Sequence, residues 1–328
     1  MAGFPTRRLR RLRRHAALRD MLASVRLAPE QLIAPLFVRS GTGVRREIPS
    51  MPGQYQYSVD TAIEAARRLA EKGIASVLLF GIPDEKDAVG SEAWNEQGPV
   101  LTLCRRLKAE LPELVVITDV CLCEYTDHGH CGPVRKREDG TAEVDNDAAL
   151  ELLGKVGVSC GRSGADIVAP SSMMDGQVRA IREALDADGQ AETAILSYAV
   201  KFASSLYGPF RDAAESAPGF GDRRTYQMDY RSPDQAVLEA ETDVAEGADM
   251  LMVKPAAAYL DVIAAVKQRV ELPLAAYHVS GEYSMLQAAG QMGWLDVQAA
   301  ATEVTCAIKR AGADLIITYF AERLAEQL

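Results

Sequence analysis

The chain has 328 residues, 48% of them hydrophobic and 25% charged, with a formal net charge of −10. That is enough for one large α/β domain or two smaller ones. No apolar run approaches a membrane span and no secretory h-region opens the chain, so a membrane protein is not expected. The first 26 residues hold eight arginines, and the first acidic residue is Asp20. A nucleic-acid binder would carry its basic surface on the folded domain, so nucleic acid is excluded as a partner.

Eight short runs rich in Val, Ile and Leu follow in order: Ile33–Val38, Ser76–Gly81, Leu114–Val120, Asp166–Pro170, Ala194–Val200, Asp249–Val253, Leu274–Val279 and Leu315–Tyr319. Most lack polar alternation, which predicts strands buried on both faces. Helices are expected between them at Thr61–Lys72, Pro233–Glu246 (capped by Ser232), Ala258–Val270, Tyr283–Met292 and Asp296–Ala311. Gly-Ala-Asp recurs at Gly164–Asp166, Gly247–Asp249 and Gly312–Asp314, each time as a helix-ending glycine before a strand. Eight strands separated by helices predict a closed (β/α)8 TIM barrel of the α/β class. An open doubly wound sheet is the alternative, but the first strand lacks a glycine-rich dinucleotide fingerprint. Phe202–Ser232 has no strong pattern. It is rich in Gly and Pro, with Arg211, Arg223 and Arg224, and reads as an active-site lid.

In such a barrel the chemistry gathers at the carboxyl ends of the strands. The third run ends in Cys121-x-Cys123-x7-Cys131. Three thiolates make a soft site that suits zinc, and three protein ligands leave a position open, as in a catalytic metal site. The plainer alternative is a pair of small buried apolar residues. The fifth run is followed at once by Lys201, and the sixth by Lys254. Buried side by side, two lysines lower each other's pKa and become nucleophiles toward carbonyls. Arg211 and Arg223 are placed to bind carboxylates. Asp119 beside the cysteines reads as a base or an orienting group. His128 and His130 read as loop residues rather than ligands.

Together these residues resemble the porphobilinogen synthase (δ-aminolevulinic acid dehydratase) family, in its zinc-cysteine form. The resemblance rests on Ala34–Val38, Thr118–Thr126, His128–Gly132, Val168–Ser171 with Met173–Gly176, Ser197–Ser204, Tyr207–Ala213, Gly221–Arg224, Met252–Pro255 and Val279–Tyr283. It implies condensation of two 5-aminolevulinate molecules to porphobilinogen, early in haem and other tetrapyrrole synthesis. Lys254 and Lys201 are then the Schiff-base lysines of the propionate and acetate sides. Ser280 and Tyr319 hold one carboxylate, and Arg211 and Arg223, supported by Gln227, hold the other. Asp119 and Ser171 line the acetate side, and Tyr207 belongs to the lid. Zinc sits on Cys121, Cys123 and Cys131. Glu239 falls where an allosteric magnesium binds, although an exposed helix carboxylate is its plainer reading. The resemblance also implies a cytoplasmic homo-octamer. An arm spanning residues 1–30, with the run Arg7–Arg14, contacts a neighbouring subunit, and the catalytic barrel spans 31–328. Ser172 departs from the aspartate many members carry before Met-Met-Asp-Gly. Two other readings are weaker. A class I aldolase needs one such lysine and no metal, and a structural zinc knuckle needs a fourth ligand such as His128 or His130.

Overall fold

The eight apolar runs are the eight parallel strands of a closed barrel in the computed structural model, which describes residues 7–328. The strands are β1 (Leu32–Arg39), β2 (Ser76–Ile82), β3 (Val115–Val120), β4 (Ile167–Pro170), β5 (Ala194–Lys201), β6 (Met250–Lys254), β7 (Leu274–His278) and β8 (Leu315–Thr318). They stand in chain order, and β8 pairs back onto β1 through Leu32↔Ile316 and Ile33↔Ile317. Every span agrees with the expected run to within a residue at each end. Strands walled on both faces favour near-continuous apolar sequence, and most of these runs carry that pattern.

Helices fill the outer layer. Those read from sequence are present, with shifted starts. The helix Asp234–Glu246 begins after Pro233, and Ser232 makes no side-chain cap. Another begins at Ser280, three residues earlier than expected, because the Glu282 carboxylate accepts the Val279 N–H (2.9 Å). The lid segment contains a short helix of its own, Gly208–Ala213. The arm residues described form a 3-10 turn, Leu9–Arg13, and a helix, Ala16–Met21, with no buried side chain. Residues 1–6 of the expected arm lie outside the described residues. No helix among the described residues is long and apolar enough to cross a membrane.

The three Gly-Ala-Asp repeats have a second use that their glycines do not reveal. Asp166 accepts the Val116 N–H, Asp249 that of Ile195 and Asp314 that of Leu274, each at 2.8 Å. Each carboxylate thus pins the start of the preceding strand, at the end of the barrel away from the strands' carboxyl termini. Asp249→Ala would strip the partner from a buried amide. It is expected to cost about 1–3 kcal/mol of unfolding free energy with kcat unchanged, measured by denaturant titration beside an activity assay.

One irregularity bears on the site. β5 and β6 pair as Leu251↔Ser197 and then Val253↔Val200, so β5 carries one residue more than its partner across this step. Ser197 faces outward and bonds Asp243 of the surrounding helix layer (2.5 Å). Tyr198 faces inward. Strict alternation would turn Lys201 outward, but the bulge returns it to the interior.

Candidate active site

Lys201 and Lys254 are paired neighbours at the ends of β5 and β6, and both are buried. The Lys254 ammonium nitrogen sits among four rings: Tyr277 (4.2 Å to the centroid), Phe210 (5.0 Å), Tyr198 (5.1 Å) and Tyr207 (5.2 Å). Burial first, and the Lys201 charge second, bring its pKa down to about 7. The Lys201 nitrogen donates to the Ser171 carbonyl at 2.5 Å and lies 5.4 Å from the Tyr198 ring. The two amines share one small cavity with Asp119, Glu124, Arg211 and Arg223.

Asp119, on β3, accepts the Ser171 hydroxyl (3.0 Å) at one oxygen, and its other oxygen has no partner. Burial, then the neighbouring Glu124, hold its carboxyl well above the usual range. Cys121, Cys123 and Cys131 bring their sulfurs within 4.8 Å of one another, and all three are buried. Two come from the end of β3 and the third from the loop after it. This is a donor set able to bind a metal. Both histidines of that loop are fully engaged. His130 donates from Nε2 to Phe220 O (3.0 Å) and accepts at Nδ1 from Tyr226 (3.0 Å). His128 donates to Ala88 O (3.2 Å) and accepts the His130 N–H (3.1 Å). Neither keeps a free nitrogen for a metal. Cys160 stays apart, within the helix Asn146–Arg162.

The lid is fastened to the cysteine loop. Arg223 donates to Gly129 O (2.9 Å) and Ser216 O (2.7 Å), and the Gly219 N–H donates to His128 O (2.9 Å). Gly129 has a φ of +68°, and a Cβ there would lie 2.3 Å from Ala217 O, so the two segments meet only because this residue is glycine. The Nε atoms of Arg211 and Arg223 and the Gln227 amide nitrogen are buried without partners, free for an incoming group. Arg211, Arg223 and Gln227 also line a wider cavity of about 550 Å³ outside the lysines.

Other predicted residues support the walls. Tyr207 donates to Lys254 O (3.1 Å), Ser280 accepts the Phe210 N–H (2.9 Å), and the Tyr319 and Tyr277 hydroxyls meet at 3.0 Å. Glu239 is elsewhere. It lines a separate cavity of about 410 Å³ with Asp175 and Glu143. Burial, then Asp175 and Glu246, push its carboxyl up. Sequence reasoning missed the ring cage of Tyr198, Phe210 and Tyr277. It also missed Glu124, which receives the Cys123 thiol at 3.2 Å, and Ser172, which bonds Cys121. Glu124 was visible beside Cys123 in the sequence; the cage needs β5, β7 and the lid brought together.

The fold is that of a barrel enzyme, with the candidate site at the strands' carboxyl ends, and its relatives are lyases of the dehydratase type. The family profile described as delta-aminolevulinic acid dehydratase matches residues 6–327. The chain belongs to that family. A delta-aminolevulinic acid dehydratase of Archaeoglobus fulgidus is 54% identical over 328 residues, covering 100% of both chains. One from Bacillus subtilis is 50% identical over 321 residues, covering 98% of each. The crystal structure of delta-aminolevulinic acid dehydratase (porphobilinogen synthase) from Toxoplasma gondii, in complex with the reaction product porphobilinogen, superposes with a TM-score of 0.94. It is 41% identical, over 98% of this chain and 91% of that one.

Proposed function

We propose that this chain is a porphobilinogen synthase, joining two molecules of 5-aminolevulinate by one C–C and one C–N bond with loss of two waters. The reaction is an early step of tetrapyrrole synthesis. The observation that carries the reading is the pair of buried amines on neighbouring strand ends, in one cavity with two arginines and beside three thiols. The product bound to the Toxoplasma relative supports it.

Lys254, half neutral near pH 7, attacks the ketone of the first substrate, and the carbonyl oxygen leaves as water. The surrounding rings stabilise the cationic imine and exclude solvent. Ser280 and Tyr319 hold that substrate's carboxylate. Lys201 forms the second imine, on the acetate side, lined by Asp119 and Ser171. Arg211 and Arg223 grip the second carboxylate with donors that have no protein partner, and Gln227 adds its amide. Asp119, with one oxygen free, moves protons at the reacting atoms. Tyr207 anchors the lid. Cys121, Cys123 and Cys131 would hold zinc, which would supply a positive charge able to polarise a substrate carbonyl. The cavity between the lysines holds about 20 Å³, room for a single water, so seating two substrates calls for movement of the segment that carries Arg211 and Arg223.

Glu239 would bind an allosteric magnesium, since a cation relieves a carboxylate crowded by Asp175 and Glu246. The arm, with Leu9, Leu12, Met21 and Leu22 exposed, would pack on a neighbouring subunit of an octamer. Six free cysteines suit the reducing cytoplasm.

The test is incubation with 5-aminolevulinate, with and without a zinc chelator, following porphobilinogen with an aldehyde colour reagent. Colour lost on chelation and restored by zinc is expected. No colour with both metals and a reductant supplied sinks the reading. The pH dependence has a defined sign. Only the neutral amine attacks, and Lys254 is protonated below about 7. Borohydride trapping of substrate on Lys254 is therefore expected to slow about tenfold per pH unit below that point and to level off above it. Peptide mass measurement reads the adduct.

A further inference from the structure

Two consecutive serines follow β4, and their atoms reach both halves of the site. The Ser171 carbonyl receives the Lys201 ammonium, and its hydroxyl donates to Asp119. The next residue, Ser172, is fully buried, and its hydroxyl donates to Cys121 Sγ at 3.3 Å. Cys121 Sγ also faces the Cys123 N–H at 3.5 Å. Cys123, by contrast, gives its thiol hydrogen to Glu124. Cys121 Sγ in turn donates to Cys123 Sγ at 3.4 Å, so of these two sulfurs Cys121 is the one that accepts from a hydroxyl and a backbone N–H. A buried serine usually returns its proton to a backbone carbonyl; this one is aimed at a sulfur.

We infer that Ser172 is a positioning residue for the metal cluster: its hydroxyl fixes the Cys121 sulfur and ties the cluster to the strand end that holds Lys201. The inference rests on the reading that the three cysteines bind a metal. A hydrogen bond to an ionised sulfur is charge-assisted, restricts the side chain and draws electron density from its lone pairs. Partners of this kind commonly contribute 10–100-fold to metal affinity. Because Ser172 and Ser171 are joined by one peptide bond, a shift of the sulfur is passed to the carbonyl that receives Lys201.

The test compares metal-free full-length protein, Ser172→Ala and Ser172→Thr. Each is titrated with Co²⁺, following the sulfur-to-metal absorption band, and then with Zn²⁺ in competition. Ser172→Ala is expected to weaken zinc binding at least about tenfold and to move the cobalt band to lower energy. Ser172→Thr, which keeps the hydroxyl, is expected to retain both. Melting of the metal-free proteins should coincide, which separates this role from a general packing defect. Wild-type affinity and an unmoved band in Ser172→Ala would overturn the inference while leaving the cluster intact. Equal losses in both variants would overturn it in favour of packing. A wild-type protein with no thiolate band would overturn the cluster reading, and this inference with it.

Discussion

Lys254→Ala is expected to lower kcat by about 10⁴-fold or more, the scale on which enzymes lose activity when a covalent nucleophile is removed. The fold should survive, because the substitution removes a buried charge rather than orphaning one. Lys254 makes no ion pair, and its neighbours are rings. Lys201→Ala is expected to be comparably damaging, since a pyrrole built from two keto acids needs both anchors. Borohydride trapping separates the two. Lys201→Ala should still trap one substrate on Lys254, whereas Lys254→Ala should trap none there. Full turnover by either variant would point to a single-lysine aldolase.

Cys131→Ala is expected to abolish zinc retention and to reduce colour formation by more than about a hundredfold, beyond the upper end seen for mere supporting partners of a metal. Cys131 comes from the loop rather than from β3. That loop remains tied through His128, Gly129 and His130 to the lid, so its backbone should hold when the thiol is gone. Elemental analysis checks the metal, and the same colour assay run with excess zinc checks the activity. A variant that keeps one zinc per chain would mean that Cys121 and Cys123 suffice with another donor. The carboxylates of Asp119 and Glu124 near Cys121 are the candidates.

The strands were legible because each is a short, mostly apolar run, with few polar interruptions such as Asp119 and Ser197. Cys121 and both lysines were legible because each directly follows such a run, and Cys123 and Cys131 because they repeat the thiol at short spacing. The helix Asn146–Arg162 was not, because it carries Gly154, Gly157 and Gly161, which sequence propensity disfavours. The structure gives the reason: a Cβ on Gly154 would lie 3.3 Å from Ala184 Cβ, and one on Gly157 3.0 Å from Ile181 Cγ2. These glycines let two helices approach, a tertiary demand that no local pattern displays. The start of Asp234–Glu246 was misplaced for the opposite reason. Ser232 has the chemistry of a cap, but the chain turns one residue later, at Pro233. The ring cage around Lys254 draws on β5, β7 and the lid. Its members sit far apart in sequence, so nothing local marked them as neighbours.

The bulge in β5 makes the second amine a matter of counting. Tyr198 and Lys201 stand three positions apart, an odd interval that an even-stepped strand assigns to opposite sides of the wall. One surplus residue changes the parity, and the chamber gains a second amine without any new type of side chain. A shortened β5 would keep its lysine and its strand yet present that lysine to the outer helices, leaving Lys254 alone in a one-amine barrel. On the proposed reading, the capacity to bind two identical molecules differently resides, in part, in an insertion of a single residue.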